Sequence, residues 1–89
     1  MDDGPDSDEQ LMRRVQAGSR EAYETLYARW RDRTFAFLCK RTGARAAAED
    51  AQQEAWLRVY RFRHRYDPTR PFRGWLFTIV ANAGRERRN

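Results

Sequence analysis

The chain has 89 residues, 35% of them charged and 40% hydrophobic, with a formal net charge of +5. That length allows one small domain with one modest core. No apolar run approaches the roughly 18 residues of a membrane span, and no signal peptide precedes the first charged residues, so a cytoplasmic protein without membrane insertion is the expectation. Cys39 is the only cysteine and His64 the only histidine. An internal disulfide, a His/Cys metal site and a Ser-His or Cys-His catalytic pair are therefore excluded. The glycines are too dispersed for a phosphate loop, and Glu49, Asp50 and Glu54 have no second helix of Glu or His to complete a carboxylate metal site. We expect no enzyme, no catalytic residue and no cofactor.

The net charge conceals segregation. Residues 1–10 sum to −5, residues 11–48 to +6, residues 49–60 to −2 and residues 61–89 to +6. A basic C-terminal third beside an acidic stretch suggests two partners of opposite charge. Seventeen of the 18 bases are arginine, whose planar fork suits phosphates and base edges, although a GC-rich genome gives the same bias.

Residues 1–6 read as a disordered acidic lead. Ser7-Asp8-Glu9-Gln10 has the form of a capping box, followed by a short stripe of Leu11, Met12 and Val15 that Gly18 closes. Ser19 can cap the next helix. There Ala22, Tyr23, Leu26, Tyr27, Trp30, Thr34, Phe37 and Leu38 recur at three- and four-residue steps up to Thr42-Gly43, a core-facing stripe. Cys39 reads as a buried small apolar residue.

A third helix is predicted from about Ala44–Ala47 to about His64. Ala48, Gln52, Ala55, Val59 and Arg63 line its inner side, flanked by Ala51, Trp56 and Phe62. Its other side gathers Asp50, Gln53, Glu54, Leu57 and Arg61. Exposing that leucine forfeits roughly 1.5–3 kcal/mol of potential burial. Scattered surface leucines are common, but an apolar centre among acids also suits docking on a basic partner.

Asp67-Pro68-Thr69-Arg70-Pro71 breaks the third helix, and Pro71 suits the first turn of the last. Phe72, Trp75, Leu76, Ile79, Val80 and Ala83 form its inward stripe; Thr78, Asn82, Arg85 and Asn89 form a polar one. No segment reads as a strand. The expected fold is all-α, a compact bundle of three long helices plus a short N-terminal helix.

Two of these stretches resemble a known family. Asp50-x-x-Gln53-Glu54 followed by Leu57-Arg58-Val59-Tyr60-Arg61 is similar to region 2.2 of bacterial sigma factors. Arg70-Pro71-Phe72-Arg73-Gly74-Trp75-Leu76-Phe77-Thr78-Ile79-Val80-Ala81-Asn82 resembles regions 2.3 and 2.4 of the extracytoplasmic-function (ECF) group. Leu11-Met12 through Gly18, with Ala22-Tyr23 and Leu26-Tyr27, resembles region 2.1. The resemblance covers residues 7–89.

It implies that Asp50, Gln53, Glu54 and Leu57, with Tyr60, dock on a coiled coil in the clamp of core RNA polymerase. It implies too that the loop from Tyr66 to Arg73, then Trp75, Thr78, Asn82, Arg85 and Arg88, read the promoter −10 element and hold it melted, chiefly on the single-stranded non-template strand. Arg70, Arg73, Arg85, Arg87 and Arg88 are expected on phosphates and Asn82 on a base edge. Phe72 and Trp75 fall on the inward stripe, so Tyr66 and the loop arginines are the better DNA candidates. An anti-sigma factor is a further implied partner.

Complete ECF factors carry a second domain (region 4) for the −35 element, which this chain lacks, so an excised domain is expected. The competing readings are a stand-alone basic helical DNA-binding regulator and a pure interaction module.

Overall fold

In the computed structural model, residues 6–87 are described. Ser7 starts the first helix, α1 (Asp8–Gln16), through a complete capping box: Ser7 Oγ accepts the Gln10 N–H at 3.1 Å and Gln10 Oε1 accepts the Ser7 N–H at 2.7 Å. Gly18 then turns the chain at φ +98°. Ser19 accepts the Ala22 N–H at 3.1 Å to begin α2 (Arg20–Thr42), which Gly43 ends in the left-handed conformation at φ +76°. Both glycines occupy backbone angles that side chains resist.

The third helix, α3 (Arg45–Arg61), has no capping side chain at Ala44 and no acid in its first turn. Its stability comes from packing instead. Ala48, Ala51, Gln52, Ala55, Trp56 and Val59 are buried, and Gln52 Nε2 donates to the Arg31 carbonyl at 2.9 Å. The helix stops at Arg61, short of the predicted His64. Phe62 leaves helical geometry, and a 3-10 turn over Arg63–Arg65 follows. Beyond the stop, the Arg63 guanidinium takes the Tyr60 carbonyl at 2.9 Å, and the Gln16 amide of α1 takes the Arg63 and Tyr66 carbonyls at 2.7 and 2.8 Å, holding the 3-10 turn.

The connection to α4 (Phe72–Glu86) contains an Asx turn, with the Thr69 N–H and O–H both donating to Asp67 Oδ1 at 2.9 and 2.7 Å. Pro71 stands one residue before the helix, not within its first turn as the sequence suggested.

Contacts between α2 and α3 run in opposite order along the chain, Tyr23 meeting Tyr60 and Arg31 meeting Gln52. Those between α2 and α4 ascend together, from Trp30 on Phe72 to Leu38 beside Gly84. Leu26, Leu38, Val59, Phe72, Leu76 and Val80 are fully buried at the junction of these three helices, with Met12 and Val15 closing one end from α1. The result is the all-α bundle expected, three long helices and a short leading one, without strands among the described residues and with extents of 48 × 24 × 21 Å. Cys39 is half-buried, less enclosed than expected.

Candidate nucleic-acid and partner interface

The outward side of α3 is as the spacing predicts. Leu57 is 56% exposed and Tyr60 39%; with Tyr27 of α2 at 37%, they are the large hydrophobic side chains left open among the described residues. Tyr23, Leu57 and Tyr60 line a shallow groove of about 610 Å³ flanked by Arg20, Arg61 and Arg63. A second groove continues past Gln53 and Tyr27 toward the acidic end of the helix. Tyr27 was assigned to the core because it shares the α2 stripe. It lies at the edge of that stripe, where the indole of Trp56 packs edge-on at 5.3 Å and leaves the far side of the ring open.

Asp50 and Gln53 are exposed, and Asp50 makes no ion pair among the described residues. Glu54 differs from the open acid predicted. It is half-buried and accepts from Arg58 Nε at 2.7 Å, while the other face of that guanidinium grips Glu86 of α4 at 2.5 and 3.0 Å. These hydrogen bonds raise Arg58 above its already high ordinary value and hold the Glu86 carboxyl below the usual carboxylate range. Glu54 is thus an internal brace as well as part of the face.

The loop before α4 corrects one expectation plainly. Tyr66 is 3% exposed, a core residue and not an open stacking surface. Its ring lies between Phe72 and Trp75, at 5.8 and 5.2 Å, and its hydroxyl donates to the Arg70 carbonyl. Burial, then the nearby Glu9 carboxylate, pushes its phenol up to about 12. What the loop does present is a cleft of about 500 Å³, with Tyr66 and the half-buried Trp75 inside and Arg65, Arg70, Gly74 and Thr78 around it. Arg70 is well exposed and only loosely paired with Asp67 at 3.8 Å.

Along α4, Thr78 is exposed and its hydroxyl donates back to the Gly74 carbonyl at 2.9 Å. Asn82 is half-buried, and its Oδ1 accepts from Arg85. Arg73 is exposed on the side of α4 that faces α2. Arg88 lies outside the described residues.

Two residues of α1, not singled out from the sequence, set the shape of this cleft. Gln16 holds the carbonyls at both ends of the 3-10 turn. Glu9 Oε2 accepts the Phe72 N–H at 2.7 Å, supplying the N-cap that Pro71 cannot give to α4. Their partners lie 47 to 63 positions away along the chain, so no local pattern announces them.

Among the described residues no group of His, Cys, Asp or Glu is placed to hold a metal ion, and no helix is long and apolar enough to cross a membrane. The site as a whole offers docking surfaces and a cleft.

The described residues thus form an all-α bundle with an open leucine on one helix and an arginine-rimmed cleft at the start of another. The sigma-70 region 2 family model matches residues 26–88; the chain belongs to that family. It is 43% identical over 75 residues to the RNA polymerase sigma factor CarQ of Myxococcus xanthus, covering 84% of this chain and 43% of the relative. It is 35% identical over 74 residues to the ECF RNA polymerase sigma factor BldN of Streptomyces coelicolor, covering 82% of this chain and 28% of that one. The RNA polymerase sigma-H factor of Pseudomonas aeruginosa is 26% identical over 80 residues, 90% of this chain and 42% of the relative. The chain spans less than half the length of these relatives.

Proposed function

We propose that the chain is the region 2 module of an ECF-type sigma factor, which docks on core RNA polymerase through α3 and engages the promoter −10 element through the loop and outer side of α4. The observation that carries the reading is Leu57, 56% exposed in a tyrosine-lined groove with Gln53 on one side and Arg20, Arg61 and Arg63 on the other, inside the segment matched by the family. A solitary domain gains nothing from holding a leucine there; a partner helix that covers it recovers the burial. Asp50 and Gln53 then meet basic and polar groups around an apolar contact, and Tyr60 and Tyr27 widen it.

The DNA side follows from the cleft. Melting a duplex costs free energy that is recovered only when an exposed base is captured, a stacked base contributing roughly 1–3 kcal/mol. A cleft with Trp75 inside and Thr78 at its rim offers an aromatic wall and a hydroxyl, while Arg65 and Arg70 are positioned for the phosphates on either side. Single-stranded non-template DNA suits such a cleft better than a duplex groove, so affinity for isolated duplex is expected to be the weaker. An anti-sigma factor covering either surface is the corresponding route of control.

The docking half is tested by capture of core RNA polymerase. Glu54 is a poor target because its loss also strips Arg58 of a partner, so the informative variant is Leu57→Ala with Asp50→Arg, both at exposed positions. Its capture should fall at least tenfold with helical content unchanged. Capture at the level of the unaltered chain would sink the assignment of this face.

A further inference from the structure

Beside the outer side of α4, a row of aromatic rings fills the seam with α2. Trp30 meets Phe77 edge-on at 6.0 Å, and Phe77 meets Phe37 at 5.4 Å. Three guanidinium groups lie over this row. Arg33 is 5.0 Å from the Trp30 ring, Arg73 is 5.8 Å from Trp30 and 5.6 Å from Phe77, and Arg41 is 4.9 Å from Phe37. All three arginines are exposed, and none takes part in any ion pair among the described residues.

Their positions are held by packing. Arg33, Phe37 and Arg41 recur at four-residue steps on one edge of α2. At the far end, α4 approaches so closely that a Cβ on Gly84 would stand 2.8 Å from Leu38 Cδ2 and 3.1 Å from Arg41 Cγ. The stem of Arg41 therefore lies against the backbone of α4. Beneath Arg33 and Arg73, the indole N–H of Trp30 has no acceptor among the described residues. The seam is a line of cations with no carboxylate paired to them among the described residues, and stacking on the rings limits how far the guanidinium groups can wander.

We propose that this α2–α4 seam is a second phosphate-binding track, which takes the DNA backbone flanking the −10 element through Arg33, Arg41 and Arg73. The inference rests on the reading that α4 engages DNA, and extends it to a helix whose aromatic stripe the sequence assigned to the core. The track runs along the α2 side of α4, around the helix from Thr78 and Asn82, so it is placed for backbone leaving the element and not for the bases held in the cleft. An acidic protein surface is the competing occupant.

Binding of the chain to two single-stranded non-template oligonucleotides, followed as a function of salt, tests the track. One carries the −10 element alone and the other extends beyond it on both sides. The unaltered chain should bind the longer one more tightly and with a steeper salt dependence. Arg33→Ala with Arg41→Ala should lower that log–log slope by about 1.4, the counterion release of two single-strand phosphates, and leave the short oligonucleotide nearly unaffected. Arg33→Lys with Arg41→Lys should keep the slope, because it retains the charges. A slope equal to that of the unaltered chain in the alanine pair overturns the track while leaving the cleft intact. Loss of polymerase capture with an unchanged slope assigns the seam to a protein partner instead. If the unaltered chain binds neither oligonucleotide, the DNA side of the proposed function falls, and the track with it.

Discussion

Asn82 and Arg85 stand one turn apart on the open side of α4, and they share a hydrogen bond. A side-chain amide offers a donor and an acceptor in one plane and can discriminate between bases by about 1–3 kcal/mol, whereas an arginine beyond it suits a phosphate. Asn82→Ala should flatten the preference among −10 variants. Arg85→Ala should weaken all of them, but because Arg85 also orients the amide, the two substitutions should be non-additive in a double-mutant cycle of base preference. Strict additivity would show that the pair separates when DNA binds.

Tyr66 makes a different argument at the same scale. A tyrosine just after a helix end and just before a proline-rich break reads as exposed, and nothing local says otherwise. Only the folding back of Phe72 and Trp75 encloses it. Burial pushes both Tyr66 and the half-buried Tyr23 up to about 12. A group whose folded value is raised stabilises the fold fully below its unfolded value, near 10, and that contribution is lost as pH rises from there toward 12. Alkaline unfolding followed by circular dichroism should show a decline across this window. Tyr66→Phe should lessen the decline, and at neutral pH lower the melting temperature by several degrees for the roughly 1 kcal/mol of a lost hydrogen bond.

At the scale of elements, α1 braces the cleft without facing it. The donor at Gln16 and the acceptor at Glu9 are chemically distinct requirements, and isosteric exchanges separate them. Glu9→Gln keeps an oxygen for the Phe72 N–H and should leave binding to single-stranded −10 DNA within about twofold. Gln16→Glu replaces two donors with a carboxylate facing two carbonyls; the Arg63 carbonyl keeps the Tyr66 N–H, but the half-enclosed Tyr66 carbonyl is left unmet at roughly 1–3 kcal/mol. DNA affinity should fall about tenfold or more while polymerase capture stays unchanged. Equal loss of both activities would mean general destabilisation.

The helices themselves were legible because their ends carry local chemistry: Ser7, Ser19, Gly18 and Gly43 mark starts and stops within three or four residues. The end of α3 was not: no glycine or proline marks Arg61, and the turn after it is held by a glutamine from another helix.

Across the whole molecule, the charge blocks map onto surfaces. The acidic stretch lies on α3, while arginines rim both the cleft, through Arg65 and Arg70, and the Leu57 groove, through Arg20, Arg61 and Arg63. Spacing at 100° per residue was enough to see the exposed leucine. The same spacing puts Arg58 one turn from Glu54 on α3, but it could not show that Arg58 also holds Glu86, since those two meet only once α3 and α4 pack. Nor could it show the seam, because arginines on the exposed side of a helix read as ordinary solvated charges until the rings beneath them are placed.

The bridge from Glu54 through Arg58 to Glu86 joins the helix proposed for the polymerase to the helix proposed for DNA. In a body only 24 × 21 Å across its shorter axes, such a bolt fixes the spacing of the two helices like a set caliper: on the proposed function, one jaw would be seated by the enzyme and the other held at a distance the protein chooses. Where a strand parts would accordingly be measured from the machine that transcribes it, with the nucleotide sequence deciding only whether the jaw finds something to grip.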